Sequence, residues 1–266
     1  MLDSLGKRRI FDVISAINDE TVLANNLMRS PLFGRADATL HVQRGHRSAA
    51  LAYSAAMRDC RSDVLVFAHQ DVYLPAHWED RLRHNLALLQ ATDPEWAVLG
   101  IYGVEPTGAQ IGCVWSSGLD ATFGAPFDAP TPVISIDEVL IVLRRSSGVE
   151  FDAALPGYHL YGTDLVQTAL SRGKGAYAIY APVVHNSRPS LYLGRDYFEA
   201  YDHLAAKWKH RLPIHNNVAR IVEPGLAYWR LRARHKFNEL RFSHLDRSRL
   251  DRRYDCVGLA RRLGFE

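Results

Sequence analysis

Asp63-Val64-Leu65-Val66-Phe67-Ala68-His69-Gln70-Asp71-Val72-Tyr73-Leu74-Pro75 decides how the chain is read. The apolar run from Val64 to Ala68 stops abruptly at His-Gln-Asp. It is too short for a helix and rich in β-branched and aromatic side chains, which predicts a strand buried on both faces of a parallel sheet. In open α/β sheets, ligands bind beyond the carboxyl ends of the strands. His69, Gln70 and Asp71 fall at that edge. Asp71 there either holds a cation or a hydroxyl, or merely caps the helix beginning near Pro75.

Outward from this stretch, strands and helices alternate. Residues 10–17 read as a first strand ending in Asn18-Asp19-Glu20, and residues 21–29 as a helix closed by Ser30-Pro31. A short strand over 39–43 precedes an alanine-rich helix with Ala49, Ala52 and Ala56 on one face, small enough to lie close to a sheet. Downstream, Trp78, Leu82, Leu86 and Leu89 form one stripe of a helix over 76–90, and residues 96–102 are another buried strand. From 103 to 132 the composition turns to Gly, Pro, Ser, Ala and Thr, with one strand signal over 111–115. That predicts a long binding loop or lid with Trp115 and Phe123 as its apolar contacts. Residues 133–144 read as a strand interrupted by Asp137-Glu138. A helix runs from Asp164 to about Arg172 and is stopped by Gly173. The last strand, 176–184, ends in His185-Asn186-Ser187, and everything after it reads as helix. Phe198, Tyr201, Ala205 and Trp208 mark one stripe there; Leu226, Trp229, Ala233 and Phe237 mark another.

This alternation predicts an α/β fold with a doubly wound, mostly parallel sheet over residues 1–190 and a helical, basic extension over 191–266. No Gly-x-Gly-x-x-Gly follows the first strand and no Gly-Lys-Ser/Thr phosphate loop occurs, which removes most support for dehydrogenase and phosphate-loop ATPase readings.

Of the 266 residues, 47% are hydrophobic and 23% charged, as in ordinary soluble globular proteins. No apolar run approaches the ~18 residues of a membrane span. The first nine residues carry charge without an apolar core behind them, so a signal peptide is not expected. Three widely spaced cysteines, Cys60, Cys113 and Cys256, make neither a disulfide framework nor a Cys-x-x-Cys metal site, and a reducing cytoplasm is the expected compartment. The net charge of +3 is unevenly spread: residues 226–266 hold 11 Arg and Lys against 5 Asp and Glu. The tail is either a solvated helical face or a surface for an anionic partner, such as a membrane.

The segments Val64–Leu74, Phe151-Asp152 with Tyr158–Leu165, and Pro182-Val183-Val184-His185-Asn186-Ser187, taken in this order, resemble the nucleotide-sugar-dependent glycosyltransferases of the GT-A fold. The similarity is to the family 2 branch, and within it to the glycosyltransferase-2-like domain family named after a streptomycin-biosynthesis protein. It spans roughly residues 10–190. The resemblance implies a GT-A type sheet, a nucleotide-sugar donor, a divalent cation (Mn²⁺ or Mg²⁺) and a glycan or glycolipid acceptor, with transfer by inversion. It implies that Asn18, Asp19, Gln70 and Asp71 meet the donor, that Asp71 and His185 hold the metal, and that Asp164 is the general base. His69 stands where the family's first Asp would be, and Thr163 where a Glu is usual.

Those residue types suit the chemistry. A cation with carboxylate ligands neutralises a diphosphate leaving group, and a carboxylate near the acceptor hydroxyl takes its proton. Tyr158, His159 and Tyr161, just before Asp164, suit an acceptor site, with Trp115 from the long loop and Asp137 completing that side; Asp137 and Glu138 are the next acids to consider as base. Asp164 also reads as a simple helix cap. Two other classes stay open: a sugar- or nucleotide-binding protein of the same fold without turnover, and an attachment module working through the basic tail on membrane or, less favoured, nucleic acid.

Overall fold

Alternate side chains of the Val64–Ala68 run enter two different cores, which is what its apolar continuity requires. The structure, a computed structural model, describes residues 11–34, 38–245 and 254–266. β1 (Phe11–Ile17) is followed by α1 (Glu20–Asn25), β2 (Ala38–Arg44), α2 (Ala49–Met57) and β3 (Val64–Ala68). Both β2 and β3 pair parallel to β1. Leu65 and Phe67 pack with Ala49, Ala52, Tyr53 and Ala56 of α2. Val66 and Ala68 face the other way, into a core with Trp78, Leu82 and Leu89 of α3 (Trp78–Thr92). Each such leucine, fully buried, contributes about 1.5–3 kcal/mol relative to exposure. α1 is shorter than the sequence suggests, because a 3-10 turn at Leu27–Arg29 replaces its last part.

The main sheet has the order β2-β1-β3-β11-β5-β12-β9. β5 (Trp96–Gly100) and β12 (Gly175–Ala178) share the direction of β3, while β11 (Leu140–Arg144) and the short β9 (Thr131–Pro132) are reversed. The reversal of β11 follows from where the chain enters it. Leu140 pairs with Ala68, the last residue of β3, so β11 starts at the carboxyl edge and can only run back.

A second sheet covers that edge, in the order β10-β6-β7-β13-β4: β10 (Ser135–Ile136), β6 (Tyr102–Val104), β7 (Gln110–Ser116), β13 (Val183–His185) and β4 (Val72–Tyr73), with β8 (Ala121–Gly124) also on β7. Half of residues 103–132 lie in strands of the two sheets, so the long loop expected from their composition is broken into short turns. The glycines serve close approach. Gly112 (φ +143°) and Gly124 (φ +77°) sit where a Cβ would strike Ile101 O and Gly112 O respectively.

The C-terminal third does not stand apart. α5 (Arg195–Lys207) buries Tyr197, Tyr201 and Leu204 in the core shared by α2 and α4 (Tyr161–Ser171), so packing continues across the boundary expected at residue 190. A hairpin of β14 (Ile214–His215) and β15 (Arg220–Ile221) interrupts what the sequence presents as helix throughout. α7 (Cys256–Arg262) rests on the second sheet through Cys256, Leu259 and Ala260 against Tyr73, Cys113 and Val184. Cys60, Cys113 and Cys256 are buried free thiols.

α6 (Leu226–Phe242) presents its apolar stripe outward. The stripe Leu226, Trp229, Ala233, Phe237 does not pack on the domain; the helix instead turns Tyr228 inward, where its hydroxyl donates to Asp202 and its ring meets Tyr201. No helix among the described residues is long and apolar enough to cross a membrane.

Candidate functional site

Three strand ends and one reversed strand start meet at the carboxyl edge. Gln70, beyond β3, ties the end of β1 to it. Its Oε1 accepts from the backbone N–H groups of Asn18 (3.0 Å) and Asp19 (3.1 Å), and its Nε2 donates to Asn18 Oδ1 at 2.6 Å. Asp19 caps α1 with Oδ1, accepting from Thr21 N and Val22 N. Asn18, Asp19, Gln70 and Asp71 are thus neighbours on one rim.

Next to them, His69, Asp71 and His185 bring one ligand atom each within 4.8 Å of one another. His185 Nε2 lies 3.4 Å from Asp71 Oδ1. The antiparallel pairing of β13 with β4, His185 opposite Val72, delivers this contact. Burial disfavours both charges, yet the mutual attraction prevails: Asp71 is held below the usual carboxylate range by His185 and His69, and His185 is raised by Asp71. Burial depresses His69 more than the charge of Asp71 lifts it.

Tyr161, at the start of α4, orients His69. Its hydroxyl donates to Glu138 O (3.2 Å) and lies 3.0 Å from His69 Nε2. Which of Tyr161 and His69 donates follows the His69 tautomer, and the contact fixes the ring's position either way. Asp137 and Glu138 occupy the turn between β10 and β11, where His69 N donates to Val139 O at 3.1 Å. Asp137 accepts from Val139 N (2.9 Å) and Asn217 Nδ2. Burial, reinforced by the charge of Asp137, pushes the Glu138 carboxyl well above its ordinary value, although it accepts from Gly162 N at 3.3 Å.

Asn186 braces the cluster from behind. Its N–H donates to Asp71 O (2.8 Å), its amide donates to Asn26 Oδ1 and Tyr254 O, and its Oδ1 accepts from Ser117 Oγ and Tyr254 N. The sequence marks Asn186 only as part of the segment Pro182–Ser187 and gives it no role, because its partners come from remote segments.

Asp164 is not brought to this cluster. Leu160, not Asp164, is the cap position of α4, and Asp164 sits inside the first turn with its N–H donating to Leu160 O. Its carboxylate, 2% exposed, accepts from Lys207 Nζ (2.8 Å) and Trp208 Nε1 (2.7 Å). The cap reading of Asp164 gives way to that of a buried anchor for α5. His159 is paired with Asp196 (3.2 Å) against the Tyr197 ring. Trp115 lies in register with Val184 of β13, its Nε1 donating to Ser117 Oγ.

A second convergence, Asp12, His41 and Cys60, lies toward the amino end of β1, away from the rim. There Asp12 is fully used: Oδ1 meets His41 Nε2 at 2.7 Å, and Oδ2 accepts from Arg61 N and Ser62 N at 2.8 Å each. It ties the turn after α2 to the first strands.

No family model matches the chain. It is 31% identical over 138 residues to the ATP synthase subunits region ORF 6 protein of Fuscovulum blasticum, an alignment covering 48% of this chain and 53% of that protein. The match thus spans about half the length of that curated relative. Among solved structures, the chain is similar to the mannosyltransferase PcManGT of Pyrobaculum calidifontis in complex with GDP-Man and Mn²⁺, at TM-score 0.46 and 14% identity over 97% of this chain and 81% of that one. It is also similar to residues 1–349 of S. aureus TarS in complex with UDP-GlcNAc, at TM-score 0.41 and 13% identity over 74% and 66%.

Proposed function

We propose that the chain is a glycosyltransferase, moving a sugar from a nucleotide-sugar donor to a hydroxyl of a glycan or glycolipid acceptor with inversion. The observation that carries this reading is the convergence of His69, Asp71 and His185 at the carboxyl rim, beside the Asn18–Gln70 pair and under the Glu138 turn. It is supported by the sequence resemblance of the same segments.

The residues fit a divalent cation. Two imidazoles and one carboxylate converge, and the Tyr161 contact holds the His69 ring in place. That donor set suits Mn²⁺ better than Mg²⁺, which prefers oxygen ligands. Bound there by Asp71, His185 and His69, the cation would supply charge neutralisation for a diphosphate. Asn18 and Gln70 fix the spacing of the two strand ends on which the nucleotide would lie. Glu138 takes the proton of the acceptor hydroxyl. A carboxylate whose pKa burial has raised is the stronger proton acceptor once ionised. In a single displacement the acceptor oxygen bonds to the anomeric carbon as the bond from that carbon to the diphosphate breaks, which inverts the centre.

Thermal stabilisation by a panel of nucleotide sugars, with and without Mn²⁺, tests donor binding, because a ligand that binds the folded chain raises the melting temperature. Slow donor hydrolysis then separates a transferase from a protein that only binds. No stabilisation by any nucleotide sugar in the presence of Mn²⁺ overturns the reading.

A further inference from the structure

We propose that the outward face of α6 docks on an anionic lipid surface. Leu226 (68% exposed), Trp229 (59%), Phe237 (64%) and Leu240 (68%) are the large apolar side chains of this face. With Ala233 they fall within a sector of about 80° when the helix is unrolled at 3.6 residues per turn. A separate sector holds the residues that attach the helix. Tyr228 and Arg232 meet Asp202, and His235 Nδ1 accepts from Leu193 N at 3.0 Å. Leu226, Phe237 and Leu240 of the stripe are turned to solvent, while Trp229 and Ala233 border the cleft between α5 and α6.

The charges around the stripe select the partner. Arg230, Arg234 and Arg241 lie along one flank of the stripe, and Lys236 along the other. Arg230, Arg234 and Arg241 form no ion pair among the described residues, whereas Arg232, on the attached side, is paired with Asp202 at 3.1 Å. Glu239 is the single acid of the helix, and it is paired with Lys236. A stable helix with a solvent-facing apolar stripe, an exposed tryptophan and unpaired arginines at its border matches a bilayer interface. The rings and aliphatic chains enter between headgroups while guanidinium groups meet lipid phosphates. A cleft of about 520 Å³ between α5 and α6, with Phe198, Arg232 and Lys236 in its walls, opens beside the stripe and shares Trp229 and Ala233 with it. It gives the docked face depth next to the helix.

The test uses the whole chain and no sugar donor, so it is independent of the activity proposed above. Sedimentation with vesicles of equal parts phosphatidylcholine and phosphatidylglycerol is expected at low salt, and little with phosphatidylcholine alone. Binding should decline toward ~0.5 M salt, where charge attraction is screened within a few ångströms. Trp229 emission should move to the blue on binding, a change absent from Trp229→Phe. Phe237→Ser should weaken vesicle binding by about tenfold through lost apolar insertion. It should leave the melting temperature unchanged, since this side chain faces away from the domain. The triple change Arg230→Gln, Arg234→Gln, Arg241→Gln should remove the preference for anionic vesicles. Failure to sediment with anionic vesicles, or binding insensitive to salt and to Phe237→Ser, overturns the proposal. So does a lipid-free dimer that Phe237→Ser dissociates, which would assign the face to a second copy. Tighter binding to an RNA oligonucleotide than to anionic vesicles would overturn it as well.

Discussion

His185 Nε2 stands 3.4 Å from Asp71 Oδ1, and the peptide N–H of the next residue, Asn186, donates to Asp71 O at 2.8 Å. The end of β13 therefore grips Asp71 twice, by side chain and by backbone. Asp71→Asn is expected to remove the charge that both histidines share and to abolish Mn²⁺-dependent thermal stabilisation by donor. For a ligand at 100 times its Kd that stabilisation is worth about 2.7 kcal/mol. Calorimetric titration with Mn²⁺ alone checks the same point, and undiminished affinity would remove Asp71 from the metal site.

Glu138 gives a prediction in which activity and stability move apart. Its folded-state pKa is raised by burial and by Asp137, so ionising it costs folding energy. Stability associated with Glu138 is thus present at low pH and lost as pH rises above the unfolded carboxyl value. Glu138→Gln should raise the melting temperature at neutral pH while lowering turnover by ~10²–10⁴-fold, as for a lost general base. The turnover of the unaltered chain should climb with pH as Glu138 ionises. A variant with normal turnover would assign the proton to another group.

Asp164 is expected to act on stability. Asp164→Ala leaves Trp208 Nε1 and Lys207 without their buried acceptor, and should cost about 2–4 kcal/mol in chemical denaturation. Asp164→Asn keeps one acceptor for Trp208 and should retain both most of the stability and near-normal turnover. Turnover reduced a hundredfold in a stably folded Asp164→Asn would restore Asp164 as base.

Acid sensitivity should trace in part to Asp12. Burial works against its charge, but the N–H groups of Ser62 and Arg61 and the His41 side chain outweigh burial and lower its pKa. Its contribution is therefore full above the unfolded value of about 3.9 and fades as pH falls through the folded value. Asp12→Asn should flatten the acid limb of the stability profile, measured by urea denaturation at successive pH values.

The strand at Val64–Ala68 and its polar end could be read from sequence because burial on two faces leaves a continuous apolar run with a sharp stop. The meeting of Asp71 with His185 follows once both strands are known to end on one edge. The direction of β11 could not be read, since it depends on the chain first visiting the second sheet. α6 carries apolar residues on two sides, Tyr228 and Leu231 on one and Trp229 and Phe237 on the other. The choice between them is made by Asp202, a residue of α5. Asp164 is hard to place for a similar reason. An acid near a helix start looks alike whether it faces substrate or Lys207, and Lys207 is 43 residues away.

The reversed strand has one more effect. A loop that leaves an ordinary doubly wound sheet is anchored at its ends, by its strand and the helix that follows, with its middle left to solvent. The turn carrying Glu138 is pinned on both sides, by Asp137 N to Tyr102 O (2.9 Å) and by His69 N to Val139 O (3.1 Å). Its backbone has little conformational entropy left to surrender when an acceptor arrives, so rigidity already built into the fold would appear as affinity and speed at the rim.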